Sequence, residues 1–325
     1  MNDGYIAVID AGYSAYDFEK HVFEQQGYRF DVFPGETQDL AGKLQFAKEA
    51  VGLLLRWTPV NDAFLSCLPH LKAIVRYGVG YDNVDLAATE RRQIRVANVQ
   101  SYANHSVSDH ALALIFGCAR GLPLGQQTVQ TGFGKPPCPD VFELSDRTLG
   151  IIGLGRIGGT LCTKAQSLFK TVLAADPYIP AERFTQLNAT PCDLPGLLAE
   201  VDVVSLHCNL TEETRGLLGP DAFNTMTRQP ILINTARGPL VDPDALLQAL
   251  QQQTLHSAGL DVYPEEPPGQ DLLSLLKHPR VIATGHYAWY STRSSVELQK
   301  RAALNLLGLL SGKHVDDELT SLPSR

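Results

Sequence analysis

The stretch from Leu149 to Asp176 constrains this chain more than any other. Leu149-Gly150-Ile151-Ile152 runs straight onto Gly153-Leu154-Gly155-Arg156-Ile157-Gly158, an amphipathic segment follows, and Val172-Leu173-Ala174-Ala175 closes on Asp176. An apolar run of strand length, glycines at G-x-G-x-x-G spacing, a helical pattern and a second apolar run ending in an acid describe one βαβ unit. In that unit Gly153 permits the tight turn, Gly155 lets the backbone approach a pyrophosphate, and Gly158 lets the helix lie close to the strand. The free N–H groups and positive dipole end at Arg156-Ile157 offer an anion site. A carboxylate at Asp176 accepts both ribose hydroxyls and repels a 2′-phosphate, so the expected cofactor is NAD rather than NADP.

The 325 residues are enough for two domains with developed cores. A formal charge of −8 without a Lys/Arg cluster argues against nucleic acid as a ligand. Met1-Asn2-Asp3-Gly4-Tyr5 has an acid where a signal peptide carries base, and no apolar run approaches membrane-spanning length. A soluble, cytoplasmic protein is expected. The six cysteines form no C-x-x-C pair, which predicts reduced core residues and no metal site.

Before the fingerprint, apolar runs recur at Tyr5 to Asp10, Arg29 to Phe33, Val51 to Arg56, Ala73 to Arg76 and Ile94 to Val99, with helical patterns between several of them. Strands alternating with helices predict a parallel doubly wound sheet. Asn83 is the expected cap of the helix after the fourth strand. Asn104 to Gly121 reads as an apolar-rich helix crossing to the second domain, and Leu122 to Thr148 as an irregular arm packed on a neighbour. Later strand candidates are Val201 to His207, Ile231 to Thr235, Ser257 to Val262 and Val281 to Gly285. Ser294 to Leu310 carries apolar residues at helical spacing and should return to the first domain, making it discontinuous. The expected fold is α/β with two doubly wound parallel-sheet domains: residues 1–101 with 290–325, and residues 102–289.

In open parallel sheets ligands sit outside the carboxyl ends of the strands, so the chemistry is sought there. Arg237, in Asn234-Thr235-Ala236-Arg237-Gly238, is a fixed cation whose fork suits a carboxylate or polarised carbonyl. His286 can serve as acid or base. Glu266 could fix its tautomer and stabilise its imidazolium. Position alone does not prefer His286 to His207, and spacing does not separate Glu266 from Glu265. In the first domain, Arg76 and the glycine-rich Gly78-Val79-Gly80 follow a strand and suit a small carboxylate.

These blocks resemble those of the D-isomer-specific 2-hydroxyacid dehydrogenases over nearly the whole chain. The second half is most similar to the C-terminal binding protein branch, through Asp176-Pro177-Tyr178, His207-Cys208-Asn209-Leu210, Asn234-Thr235-Ala236-Arg237-Gly238 and His286-Tyr287-Ala288-Trp289-Tyr290-Ser291. The resemblance implies a flavodoxin-like substrate domain beside a Rossmann NAD-binding domain. It implies that Arg237 holds the substrate carboxylate and carbonyl, that His286 is the acid/base, and that Glu266 is its partner. It further implies that Asp261 meets the nicotinamide carboxamide and that Val107, His207, Cys208, Thr235 and Ala236 line the cofactor. Arg76, Val79 and Gly80 match positions that grip the substrate from the other domain, with closure of the two domains implied, and a homodimer is the family's usual state. Departures are Cys208-Asn209 where most members have x-Pro, Asn104-His105 where many have acids, and the missing long tail of animal C-terminal binding proteins.

The leading expectation is interconversion of a 2-oxoacid and a D-2-hydroxyacid. If Trp289 faces the pocket, as in that branch, the substrate side chain is apolar or aromatic. The alternatives are a dinucleotide-sensing regulator with little turnover and a dehydrogenase for another small anion such as phosphite.

Overall fold

Among the described residues of the computed structural model, eleven of the twelve strands coincide with apolar runs of the sequence. The structure describes residues 4–130, 132–133 and 141–321. It divides into two units, residues 1–102 with 291–325, and residues 103–290.

The first unit holds β1 (Tyr5–Val8), β2 (Arg29–Val32), β3 (Ala50–Leu55), β4 (Ala73–Arg76) and β5 (Arg95–Ala97). They form one parallel sheet in the order β2-β1-β3-β4-β5, the flavodoxin-like arrangement. All four residues of β1 are buried, as expected of a strand covered on both faces. Just beyond it, Asp10 ties the strand ends together. Its Oδ2 accepts the amides of Arg56, Trp57 and Thr58, and its Oδ1 accepts Lys43 Nζ and the Thr58 hydroxyl, each at 2.6 Å. Burial pushes the Asp10 carboxyl up, but these donors outweigh it and leave the group below the usual carboxylate range.

The helix Thr292–Leu310 belongs to this unit. It opens with a reciprocal capping box between Ser291 and Ser294. Leu298, Ala302, Ala303, Leu306 and Leu309 are buried, and full burial of a leucine such as Leu306 contributes roughly 1.5–3 kcal/mol. Val296, an apolar residue within the Ser294 to Leu310 pattern, stands exposed.

The second unit holds β6 (Thr148–Ile152), β7 (Thr171–Ala175), β8 (Thr190–Pro191), β9 (Val203–Leu206), β10 (Ile231–Asn234), β11 (Ser257–Leu260) and β12 (Val281–Ala283). Their order is β12-β11-β10-β9-β6-β7-β8, all parallel, which is the doubly wound dinucleotide-binding order with one further strand. The chain reverses direction across the sheet between β6 and β9. Beside this switch point the turn after β6 meets the segment after β9.

Two local expectations are corrected. Leu122–Gln130 is a helix, not an irregular arm; Pro123 sits in its first turn, where a missing N–H costs nothing. Gly134, Pro136, Pro137 and Pro139 of the expected arm lie outside the described residues. The helix Leu86–Arg91 is capped by Asp85, which accepts the Ala88 amide, while Asn83 instead donates to the Thr58 carbonyl at 2.9 Å. Among the described residues, no helix is long and apolar enough to cross a membrane.

Candidate active site

The dinucleotide fingerprint sits at the switch point of the second unit. Gly153 has φ +90°, and a Cβ there would lie 2.5 Å from the Cys208 amide nitrogen. Only glycine lets the turn pass this close to the segment after β9. At Gly158 a Cβ would meet the Gly153 carbonyl oxygen at 2.0 Å, so the helix Arg156–Ala165 comes down hard on the turn. Gly155, the residue before that helix, differs from both: a Cβ there would meet nothing within 4 Å. No side chain caps the helix, whose first residues Arg156 and Ile157 are exposed and partly exposed. Asp176 stands at the end of β7, its Oδ2 accepting the Leu154 amide at 2.8 Å and its Oδ1 the Tyr178 amide at 3.0 Å.

These features fit a bound dinucleotide. Among the described residues, space is kept open over Gly155, the helix start beside it has no side-chain cap, and the buried Thr235 hydroxyl has no hydrogen-bond partner. Val107 is buried in the helix Asn104–Ala119. Cys208 is partly buried, and burial pushes its thiol up to about 11, so it stays protonated and unreactive.

The two histidines that position could not separate differ in structure. His207 Nε2 lies 2.8 Å from Ser205 Oγ. Burial of the ring drives its pKa from 6.5 down to about 4. The folded chain therefore holds His207 neutral where an unfolded chain binds a proton, and this costs stability as pH falls from 6.5 toward 4. The gap corresponds to a loss of up to about 3 kcal/mol over that window. Urea unfolding should register it, and His207→Phe should flatten the slope between those two pH values. An unchanged slope in the variant would place the loss elsewhere.

His286 has an acid beside it. Its Nδ1 lies 2.5 Å from Glu266 Oε2, and the two side chains are 38% and 36% exposed, so solutes can reach the pair. Glu266 Oε1 accepts the Tyr263 amide at 3.1 Å. Burial raises the Glu266 carboxyl, but the hydrogen bond and charge of His286, the Tyr263 amide and the charge of Arg237 together hold it below its ordinary value. Glu266, not Glu265, is the histidine's partner.

Arg237 follows β10 in extended conformation. Asn234 shapes the turn that carries it, accepting the Ala236 amide at 3.1 Å and donating to the Arg237 carbonyl at 2.9 Å. The guanidinium donates through Nη1 to the Ala236 carbonyl at 2.8 Å. The next residue, Gly238, would carry a Cβ 1.9 Å from the Tyr263 carbonyl carbon and 2.4 Å from the Pro264 nitrogen. This backbone approach locks the arginine turn against the loop that carries Glu266.

Asp261 is fully buried. Its Oδ1 accepts the Thr284 hydroxyl at 2.6 Å and the Tyr287 amide at 3.1 Å, and its Oδ2 accepts the Ala288 amide at 2.9 Å. The visible task of this carboxylate is to hold the segment around His286, which itself has φ +53°. Trp289 is partly buried and donates its indole N–H to the His286 carbonyl at 3.1 Å. Sequence reasoning missed Tyr263, Asn234 and His110, which support these groups; for His110, which follows Ser108-Asp109 at the start of the apolar stretch of the helix Asn104–Ala119, there was no separate signal in the sequence.

In the first unit, Arg76 Nε donates to the Arg56 carbonyl at 3.0 Å. Its Nη1 lies over Gly78, where a Cβ would come within 1.8 Å of it. The Val79 carbonyl accepts Asn98 Nδ2 at 2.6 Å, and Val79 and Gly80 are partly exposed.

Residues 112–288 match the family model described as D-isomer specific 2-hydroxyacid dehydrogenase, NAD binding domain. The chain is 32% identical to glyoxylate/hydroxypyruvate reductase B of Yersinia enterocolitica, over 92% of this chain and 93% of that protein. It is 35% identical to D-3-phosphoglycerate dehydrogenase of Archaeoglobus fulgidus over 82% of its own length, but spans only 50% of that longer protein. Among solved structures it superimposes on D-lactate dehydrogenase of Aquifex aeolicus, determined with NAD and lactic acid, with TM-score 0.86 at 25% identity, covering 94% of this chain and 96% of that one. With the fingerprint, the sheet order and an acid-supported histidine in one unit, the chain belongs to the D-isomer-specific 2-hydroxyacid dehydrogenase family of NAD-dependent oxidoreductases.

Proposed function

We propose that this protein reduces a small 2-oxoacid to the D-2-hydroxyacid, with Arg237, Glu266 and His286 as catalytic residues. The observation that carries this reading is the Glu266–His286 pair at 2.5 Å, with the charge of Arg237 reaching the same carboxylate. NADH, when bound, supplies the hydride. Gly153, Gly155, Gly158 and the helix start at Arg156-Ile157 are assigned to its pyrophosphate, and Asp176 to its ribose. Val107, His207, Cys208, Thr235 and Ala236 are assigned to the walls of its site. Arg237 orients the carboxylate and carbonyl of the substrate and stabilises the developing alkoxide. His286 hands a proton to that oxygen, and Glu266 stabilises the imidazolium before the transfer. Arg76 with the Val79-Gly80 backbone is assigned to the substrate carboxylate.

Within the family we propose a place near the C-terminal binding protein branch, supported by the blocks at Asp176, His207 and His286. Turnover, rather than dinucleotide sensing alone, is supported by the intact acid/base pair. NADH oxidation against a panel of 2-oxoacids tests this. Tight NADH binding without turnover of any of them would overturn it.

For the substrate side chain we propose an apolar or aromatic group, supported by the partly buried Trp289 bonded to the His286 carbonyl. Trp289→Ala should then lower kcat/KM for phenylpyruvate by about 10- to 100-fold more than for glyoxylate, the scale set by one buried aromatic contact. Equal losses would remove Trp289 from the pocket. The relatives named as glyoxylate/hydroxypyruvate reductases favour a second reading, a small hydroxylated substrate, and the same panel decides between them. We also propose a homodimer, supported by Phe116, Leu122, Val129 and Phe133, which stand exposed on and just after consecutive helices. Sedimentation of a monomer at micromolar concentration would count against it.

A further inference from the structure

The helix Asn104–Ala119 lies against the carboxyl half of the sheet in the second unit. A Cβ on Gly259 of β11 would come within 2.9 Å of Leu114 Cβ, and one on Gly117 within 2.7 Å of Ile282 Cδ1 of β12. This close packing sets His110, one turn before Leu114, beside the end of β12. Its Nε2 lies 3.0 Å from Thr284 Oγ1 and 3.6 Å from Asp261 Oδ1, and its ring meets Tyr287 edge to face at 5.0 Å.

The protons in this cluster can be assigned. The Thr284 hydroxyl has one hydrogen, and the 2.6 Å contact to the Asp261 carboxylate takes it, because a carboxylate can only accept. The contact with His110 must then use a lone pair of the hydroxyl oxygen, so His110 Nε2 carries a hydrogen and donates. From Asp261 the network continues into the amides of Tyr287 and Ala288. The His286 amide donates to the Asp261 carbonyl at 2.7 Å, and the Tyr263 hydroxyl to the Thr284 carbonyl at 2.7 Å. At the centre stands His286, whose φ of +53° is in the left-handed region that a β-carbon disfavours. Such a conformation persists where its surroundings over-determine it.

We propose that His110 is a positioning residue for His286. Its donated proton orients Thr284, Thr284 orients Asp261, and Asp261 pins the amides that hold the left-handed turn from which the His286 imidazole is presented. The functional consequence rests on the proposed role of His286 as proton donor; the positioning itself does not.

The test uses the full chain with two substitutions. His110→Phe keeps a ring against Tyr287 and removes the donor, and His110→Gln keeps an N–H. In the protein without cofactor, His110→Phe should speed amide hydrogen exchange at Tyr287 and Ala288 by about tenfold, with the rest of the unit unaffected. With NADH it should lower kcat for the best 2-oxoacid by about tenfold, with KM for NADH little changed, as a misaligned proton donor predicts. His110→Gln should recover most of both. Unchanged exchange at 287 and 288 in His110→Phe, or equal effects of the two substitutions, overturns the proposal. If the wild-type protein turns over no 2-oxoacid, the proposed activity fails, and the exchange measurement alone decides the positioning role.

Discussion

Replacing His286 with glutamine is expected to lower kcat for 2-oxoacid reduction on the order of 10²- to 10⁴-fold while leaving the Kd for NADH within about twofold. Glutamine keeps much of the shape and a hydrogen-bonding end but has no proton to give up at accessible pH. In the native protein Nδ1 is engaged by Glu266 at 2.5 Å, which leaves Nε2 to carry the transferred proton. Reduction consumes that proton. kcat/KM of the native protein should therefore depend on pH in a way that the residual rate of the variant does not. On the acid side the partner sets the limit. Glu266 is held below its ordinary value, so its share of stability is present above the unfolded carboxyl value and is lost as pH falls through the lower folded one. A variant retaining the native pH dependence, with chemistry shown to be rate-limiting, would take His286 out of the proton-donor role.

The strands were legible because parallel strands buried on both faces are continuous apolar runs, and Ile231–Asn234 and Ser257–Leu260 are buried at every position. Their carboxyl ends then pointed to Arg237 and His286 as candidates, whereas Thr235 and Asp261 came only from the family resemblance. Choices between neighbouring candidates were not legible. Glu265 and Glu266 differ by one residue in a Pro-rich loop with no period, and only the folded path aims the second at His286. His207 and His286 both follow strands, but one ring is held against Ser205 and the other meets an acid. The helix Leu122–Gln130 was hidden because Pro123 and Gly125 punctuate a short apolar pattern, and the two-residue β8 is too short for any period. The close approach at Gly238 was equally invisible, since nothing in Ala236-Arg237-Gly238 tells which distant backbone comes to rest on it.

That approach carries the second large effect: Gly238→Ala is expected to cost about 100-fold or more in kcat and about 1–3 kcal/mol in stability. The atoms in the way are the Tyr263 carbonyl carbon at 1.9 Å, its oxygen at 2.2 Å and the Pro264 nitrogen at 2.4 Å, all backbone, so no side-chain rotation relieves the clash. The turn bearing Arg237 and the loop bearing Glu266 must move apart, and a shift of an ångström between groups that act on one carbonyl is enough for a loss of this size. Gly155→Ala is the matching control within the same unit. There the added methyl meets nothing within 4 Å, so no clash is made; the ψ of −146° lies outside the regions a β-carbon favours, and the backbone strain should cost about 1–2 kcal/mol in stability. The methyl would instead occupy the space assigned to the pyrophosphate, and the loss should appear as a raised Kd for NADH. Urea unfolding, NADH titration and steady-state rates on the two variants separate the cases. If Gly238→Ala keeps native kcat, the locking of the two loops is not what aligns Arg237 with Glu266 and His286. If Gly155→Ala binds NADH as the native protein does, the open space over the fingerprint turn is not the dinucleotide's.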